Sequence, residues 1–389
     1  MGSARTHTLV VPPRYVILTL SIVTKTTMHK VIEHIKDMRF SMEVVKANPG
    51  ENVVLSAFSV LSPLAQLSLA SVGESHDQIL KAIGLPNDNV EQFTNLTKQL
   101  QSVKGVEINL ANRVYVRKSE VLNEQYAVVS RDVFNSDVKN IDFSQKEEAV
   151  REINSWVEDN TKNRIKDLLS PNMVDDNTAA VLVNAIYFKG NWSKPFHPSD
   201  TRPGTFYVNK DKSIEKAFMA QTKDHKYGES KELDAKLLEL PYEGDQSSLL
   251  VILPNQMDGI SSLIEKLRDT SVVSNAVQNM QFNQVSVEIP KFKIETSTDL
   301  KTVLEKMDVV KLFRSDEARL ENMLKGQSNL SVSKAVQKTF IEVNEKGTEA
   351  TAANASRGNS NLKHFNANRP FYFALQINNM ITFNGIFTK

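Results

Sequence analysis

The chain has 389 residues, 40% hydrophobic and 24% charged, so it can bury a large core without a metal or disulfide staple. Its 47 basic side chains nearly cancel its 46 acidic ones, which argues against a nucleic-acid-binding protein with its strong basic excess. The sequence has no cysteine, and this excludes thiol nucleophiles, disulfides and cysteine-based zinc sites.

Residues 1–27 form a segment of their own, in which Arg5 and Arg14 precede the apolar run YVILTLSIV at residues 15–23. Such a run after basic residues is typical of a secretory signal peptide, and it is too short to span a bilayer as a helix. No clear cleavage site follows it, so an extension of an intracellular protein is the alternative. We expect a secreted glycoprotein with a single domain over residues 28–389.

The first predicted element is a helix over residues 28–46, because the apolar residues there have helical spacing. Pro49 and Gly50 end this helix. The run NVVLSAFSVLSPLAQLSLAS follows directly. It predicts a short strand and then a helix that begins near Ser56 or Ser59. Because that helix is apolar on most of its faces, we expect it to be buried.

Six later runs are rich in apolar and β-branched residues and predict strands at residues 106–116, 179–188, 249–253, 285–289, 340–343 and 371–377. Helical spacing predicts helices over residues 147–163 and 260–270. Strands and helices do not alternate regularly, which disfavours a doubly wound parallel sheet. The predicted fold class is α+β with a large sheet.

The sequence carries no recognisable catalytic or metal-binding motif. Its seven histidines do not form HExxH or a related ligand spacing. The GxSxG, GxxxxGK[ST] and GxGxxG motifs are absent. We therefore expect no enzymatic activity, no metal site and no cofactor.

Residues 345–370, EKGTEATAANASRGNSNLKHFNANRP, are poor in large apolar groups and lie between two predicted strands. A loop of this length inside a compact domain is uncommon and is usually functional. The run from Gly347 to Ala353 consists mostly of small residues. It could enter a narrow slot in a sheet as a strand, or it could be an exposed flexible loop.

The run IEVNEKGTEA at residues 341–350 resembles the loop hinge of the serpin family. Other serpin-like blocks occur in the family's order, at residues 52–59, 153–165, 183–201 and 369–385. The resemblance extends from about residue 30 to residue 389. It implies the serpin fold, with three β-sheets, about nine helices and an exposed reactive-centre loop over about residues 345–369.

The resemblance also implies a function, that of a protease inhibitor whose loop is offered as bait. After cleavage, the first half of the loop would insert into the main sheet and drag the attached protease with it. The implied partner is a serine protease or a papain-like cysteine protease, bound by a monomer with no affinity for nucleic acid or membrane. The alternatives are reversible blocking of a cysteine protease by a short, stiff loop, or a non-inhibitory carrier or chaperone.

Two groups of site residues follow from the resemblance. The hinge that begins insertion comprises Glu345, Gly347, Thr348, Ala350, Ala352 and Ala353. The shutter that controls sheet opening comprises Ser56, Ser59, Asn184 and Gln337. Most serpins have a histidine where this chain has Gln337, which can form hydrogen bonds but cannot titrate.

The position of the reactive bond depends on the direction of counting. Counting forward from Glu345 as in the family places the bond at Asn361–Leu362, whereas counting back from Pro370 places it at Asn359–Ser360. The two counts differ because the loop is about two residues shorter than in most inhibitory serpins. Both bonds therefore stay candidates.

A third candidate is the bond between Lys363 and His364, because trypsin-like proteases require a basic residue before the cut. Papain-like cysteine proteases select mainly an apolar residue two places before the cut. Leu362 would fill that role for cleavage after Lys363. The sequence thus leaves both protease classes open as targets.

Overall fold

The computed structural model describes residues 50–84, 103–326, 329–346, 361–378 and 380–389. The segment 1–27 and the predicted helix over residues 28–46 lie outside these ranges. The described residues contain seven α-helices: α1 (Ala57–Ala70), α2 (Glu74–Ala82), α3 (Glu124–Phe134), α4 (Lys146–Asn160), α5 (Ile260–Lys266), α6 (Thr270–Gln278) and α7 (Leu300–Lys306).

The same residues contain fourteen strands, and their bounds place each predicted strand within or close to an observed one. They are β1 (Val53–Leu55), β2 (Val106–Arg117), β3 (Asp137–Ile141), β4 (Ala180–Gly190), β5 (Arg202–Tyr207), β6 (Ser213–Ser230), β7 (Ala235–Pro241), β8 (Ser247–Pro254), β9 (Gln281–Pro290), β10 (Phe292–Asp299), β11 (Lys334–Val343), β12 (Lys363–Asn366), β13 (Phe371–Ile377) and β14 (Met380–Phe387).

Five strands form the main sheet, in the order β10-β11-β4-β2-β3. Its central pair, β4 and β11, is parallel, with Lys334 opposite Val181 and Glu342 opposite Lys189. On their outer sides, β4 and β11 each have an antiparallel partner, β2 and β10 respectively. The line along which β4 and β11 meet is called the seam below.

The other nine strands form a second sheet, with β5 paired to the strand β6 of the series β1-β14-β13-β8-β7-β6-β9-β12. The 18-residue strand β6 pairs with β5 and β9 along most of its length and with β7 at its end. The α+β class is confirmed. The long strand β6 joins what the resemblance implied to be two separate sheets into one hydrogen-bonded sheet.

Helix α1 lies between the two sheets, where it packs against β2 and β4 on one side and β14 on the other. Ser56 caps its N-terminus, because its Oγ accepts a hydrogen bond from the Ser59 backbone N–H (3.1 Å). The predicted burial is confirmed, since all residues of α1 except Ala57 and Leu69 are buried. The helix therefore brings polar groups at its first turn directly against the seam.

Helix α4 lies on the opposite face of the main sheet. It buries Ala149, Val150, Ile153 and Val157 in a cluster with side chains of β2, β4 and β11. The guanidinium of Arg113 lies 4.2 Å from the ring centroid of Trp156, a cation–π contact between β2 and the helix. The main sheet is thus covered on both faces near the seam.

Candidate functional site

The four shutter residues predicted from the resemblance meet at the seam. Gln337 on β11 lies opposite Asn184 on β4, and its Nε2 is 2.7 Å from Asn184 Oδ1. The same Nε2 is 2.9 Å from both the backbone oxygen of Ser56 and Ser59 Oγ. All four side chains are completely buried. The shutter therefore links both strands of the seam to the first turn of α1 through uncharged hydrogen bonds.

Asn112 belongs to the same network, although it was not among the residues predicted from the sequence. Its Oδ1 accepts a hydrogen bond from Asn184 Nδ2 (2.5 Å), which ties β2 to the shutter. Asn112 is buried in a strand otherwise rich in apolar residues. A buried amide at this position needs a polar partner, and that requirement was the available signal.

The chain that follows α4 passes over the opposite face of the seam. There the guanidinium of Arg164 lies 4.0 Å from the carboxylate of Glu342 on β11 and 5.9 Å from the ring centroid of Tyr187 on β4. Nearby, Lys338 Nζ on β11 donates a hydrogen bond to the backbone oxygen of Lys166. Separation of β4 from β11 would therefore have to displace this segment.

The end of β11, from which the candidate loop departs, is held by Trp192. The indole Nε1 of Trp192 donates a hydrogen bond to the backbone oxygen of Asn344 (2.7 Å). The backbone N–H of Trp192 donates a second one to the backbone oxygen of Lys346 (3.1 Å). The indole stacks on Tyr242, with the ring centroids 4.3 Å apart. Trp192 thus fixes the last residues before the loop to the second sheet.

Glu345, the first predicted hinge residue, is held by the side chains of Lys291 and Thr201. We call these three residues the clasp. The Oε1 of Glu345 lies 2.9 Å from Lys291 Nζ and accepts a hydrogen bond from Thr201 Oγ1 (2.8 Å). Burial opposes the charged form of Glu345. The hydrogen bonds from Lys291, the backbone and Thr201 outweigh burial and hold the pKa of this carboxyl below its ordinary value.

The other predicted hinge residues lie outside the described residues, and so do two of the reactive-bond candidates. They are Gly347, Thr348, Ala350, Ala352, Ala353, Asn359 and Ser360. Asn361 is exposed and Leu362 is partly exposed immediately before β12. Lys363 and His364 are the first residues of β12, opposite Val285 and Ser286 of β9.

The part of the chain that the structure describes holds no group of three or more histidine, aspartate or glutamate residues arranged to bind a metal ion. No helix among those residues combines the length and the apolar character needed to cross a membrane. The fold and the seam define the class: an α+β protein with a five-stranded sheet whose central strands, β4 and β11, are in direct parallel contact.

Comparisons with known proteins agree with this class. A family profile described as Serpin (serine protease inhibitor) matches residues 37–389. Antitrypsin of Bombyx mori is 54% identical over 358 residues, covering 90% of this chain and 91% of the relative. Alaserpin of Manduca sexta is 50% identical over 375 residues, covering 94% and 96%. The chain belongs to the serpin family.

A solved structure supports the same assignment. The crystal structure of Serpin48, described as a highly specific serpin in the insect Tenebrio molitor, superposes with a TM-score of 0.84 at 32% identity. The match covers 93% of this chain and 98% of Serpin48. The protein is therefore a member of a family of protease inhibitors and not an enzyme, and the partner of such an inhibitor is a target protease.

Proposed function

We propose that the protein traps its target protease by inserting the cleaved loop as a new strand along the seam. The observation that carries this proposal is the direct parallel pairing of β4 with β11. A chain that turns back at the end of β11 runs antiparallel to both strands. Insertion would replace one parallel pairing with two antiparallel pairings, which are the more stable kind.

The length of the loop fits this proposal. Cleavage after Asn361 leaves residues 347–361 attached to β11, which extend over about 50 Å at 3.3 Å per residue. The ten residues of β11 extend over about 33 Å by the same measure. At about 1 kcal/mol net for each new hydrogen bond, such a strand contributes on the order of 10 kcal/mol, enough to drive a mechanical displacement.

The proposed reactive bond is Asn361–Leu362. Asn361 is exposed, as a residue presented to a protease must be. Lys363 and His364 already pair with β9, so cleavage between them would require the start of β12 to detach first. These observations favour the forward count over the basic candidate at Lys363.

The residue before this bond points to the kind of target. Both counts along the loop place an asparagine there, Asn361 or Asn359, so the protease needs a pocket that accepts an uncharged carboxamide. With cleavage after Asn361, Ser360 takes the position that papain-like proteases prefer to be apolar. We therefore assign the target to the serine proteases and keep a papain-like protease as the second candidate.

The proposed inhibitor acts outside the cell as a monomer. The apolar run at residues 15–23 supports secretion. The sequon Asn95-Leu96-Thr97 supports glycosylation of the secreted protein. One domain contains the seam, the hinge and the loop, so a second copy is not needed for trapping.

The test is incubation with trypsin, chymotrypsin, elastase and papain, followed by denaturing gels and mass spectrometry. A complex that survives denaturation, together with a released peptide that begins at Leu362, is the expected result. Inhibition of papain with an uncut loop and no stable adduct would replace insertion with reversible blocking. Cleavage without any inhibition would indicate a non-inhibitory serpin.

Two neighbouring substitutions make this test specific for insertion. Successive side chains of a strand point to opposite faces, so positions 348 and 349 cannot both face the protein interior. The resemblance places Thr348 inward, and Thr348→Arg should convert the inhibitor into a substrate that is cut and released. Glu349→Arg, the matched control, should retain trapping. Equal behaviour of the two variants would contradict strand insertion.

A further inference from the structure

Phe282 breaks the pattern of the strand in which it lies. From Gln284 to Ile289 the outward positions of β9 alternate with buried ones, and these outward residues are polar: Gln284, Ser286 and Glu288. Phe282 is 71% exposed, more than any other large apolar side chain of the described residues. Neighbouring outward positions on β6 and β12 also carry small or polar residues. The phenyl ring is therefore an isolated apolar projection on a polar sheet face.

The surroundings of Phe282 leave one of its sides open. On one side its register partner is Lys226 on β6, whose ammonium is paired with Glu239 on β7 (3.2 Å). On the other side, β12 begins only opposite Val285, three positions further along β9. Among the described residues, Phe282 thus has the Lys226–Glu239 ion pair on one side and no neighbouring strand on the other.

The open side faces the point at which the loop joins β12. Because β9 and β12 are parallel, the register that pairs Lys363 with Val285 places Leu362 level with Gln284. Phe282 then lies two residues beyond, about 7 Å along the strand direction. A standard protein–protein interface covers about 800 Å² on each partner, a patch about 30 Å across. A protease centred on Asn361–Leu362 would therefore cover Phe282.

We propose that Phe282 is a second contact for the protease, an anchor that inserts into an apolar depression beside the protease's active-site cleft. The occupant is the protease already engaged on the reactive loop, so this inference rests on the proposed function. The surface is continuous with the bait segment, and aromatic side chains are typical anchors at the centres of interfaces. The anchor increases the rate of productive encounter and adds specificity beyond the loop sequence.

The test compares Phe282→Ala with Val128→Ala. Val128 is 44% exposed on α3, which packs against α1 and β3 and not against β9. The protease is whichever of trypsin, chymotrypsin, elastase and papain cuts the loop fastest. Phe282→Ala should lower the second-order rate of complex formation about tenfold, the effect of an interface anchor. The stoichiometry of inhibition and the thermal midpoint should not change, because Phe282 contacts neither the seam nor the core.

Two further measurements separate this inference from the proposed function. In the Thr348→Arg background the loop is cut without trapping, and Phe282→Ala should still lower the cleavage rate about tenfold. A synthetic peptide of residues 353–366 should be cut by the protease at the same rate in the presence of the parent protein and in the presence of the Phe282→Ala variant. Unchanged cleavage of Phe282→Ala by the fastest protease would overturn the anchor and leave trapping intact. Slower cleavage without any adduct would overturn trapping and leave the anchor intact.

Discussion

The shutter and the clasp hold the same strand, β11, by different means. At the shutter, Gln337 and Asn184 are completely buried and form only uncharged hydrogen bonds. At the clasp, eight residues further along, the carboxylate of Glu345 pairs with Lys291, whose side chain is 40% exposed. The interior of the seam is therefore dry and neutral, whereas the contact just beyond its Glu342 end is charged and partly exposed to water.

This difference indicates the order in which the seam would open. Buried polar networks are costly to disrupt, because each separated group loses its partner in a medium of low dielectric constant. An accessible ion pair contributes about 1 kcal/mol or less and is weakened by salt. We therefore expect opening to begin at the clasp, beside the hinge, and to reach the shutter last.

The largest effect should come from Gln337→Ala. It removes the amide that contacts Asn184 Oδ1 and the backbone oxygen of Ser56, and both oxygens would stay buried. Ser59 Oγ can still donate to one of these oxygens. The lost hydrogen bonds of the amide and the cavity that the truncation leaves should together lower the free energy of unfolding by about 4 kcal/mol. This change in the free energy of unfolding is measured by urea unfolding of the uncleaved protein.

The control for this substitution is Gln281→Ala, which removes the same amide from an exposed position at the start of β9. Its effect should be within about 0.5 kcal/mol. The cost of Gln337→Ala should be the same at low and high salt, because no charge takes part. A strong salt dependence would contradict the description of the shutter as a neutral lock.

The second prediction concerns His225, a buried residue of β6. Acid should weaken the protein both at the clasp and at His225, and a substitution of His225 separates the two effects. Burial, followed by the positive charges of Lys194 and Lys223, lowers the pKa of His225 to about 4 from the ordinary 6.5. Because the unfolded chain binds the proton more readily, stability is complete above pH 6.5 and declines as the pH falls towards 4. This single group should remove about 3 kcal/mol over that interval.

The variant that tests this is His225→Phe, which has a similar size and no titratable nitrogen. Neither ring nitrogen of His225 has a hydrogen-bond partner, so the replacement leaves no group unsatisfied. Its free energy of unfolding should vary about 3 kcal/mol less than that of the parent between pH 7 and pH 4. Parallel pH curves for both proteins would show that His225 is not the source of the acid response.

A third substitution, Trp192→Phe, probes the anchor of the hinge. It removes the indole N–H that donates to the oxygen of Asn344 (2.7 Å) but keeps an aromatic ring against Tyr242. The expected loss is about 1.5 kcal/mol in the free energy of unfolding. Hydrogen exchange should show faster opening at residues 340–346 than at the shutter. Equal acceleration at both places would contradict an opening order that begins at the hinge.

The smallest effect should come from Glu345→Gln at the clasp. In 50 mM salt it should cost about 1 kcal/mol, and in 1 M salt clearly less. The lowered pKa of Glu345 means that its contribution is present above pH 4.5 and disappears as the pH falls further, so the variant should be less sensitive to acid. Glu232→Gln, at an exposed position, is the control. A cost unaffected by salt would remove the contrast with the shutter.

Strands and helices with a clear apolar pattern were predicted well. The predicted strand at residues 371–377 coincides with β13, and the predicted helix over residues 147–163 overlaps α4 (Lys146–Asn160). Strand β6, in contrast, was missed. It carries a charged or polar residue at most positions, and much of it is stabilised by backbone pairing with three other strands. Its extended form depends on neighbours that a local pattern does not contain.

The site divides in the same way. The shutter and hinge residues were assigned from a resemblance, and the structure brings Ser56, Ser59, Asn184 and Gln337 together. Asn112 and Lys338 were missed. Each is one of several polar residues in its strand, and its role depends on a partner 72 or 172 residues away along the chain.

The sequence by itself determined the α+β class, the burial of helix α1, the lack of cysteine chemistry and the small residues of the loop, because these are local properties of composition and spacing. Only the tertiary structure decided that β4 and β11 are in direct parallel contact, that Lys363 is already paired in β12 and that Phe282 projects beside the loop. Sheet order and strand register are set by contacts between distant segments, so no local pattern can specify them.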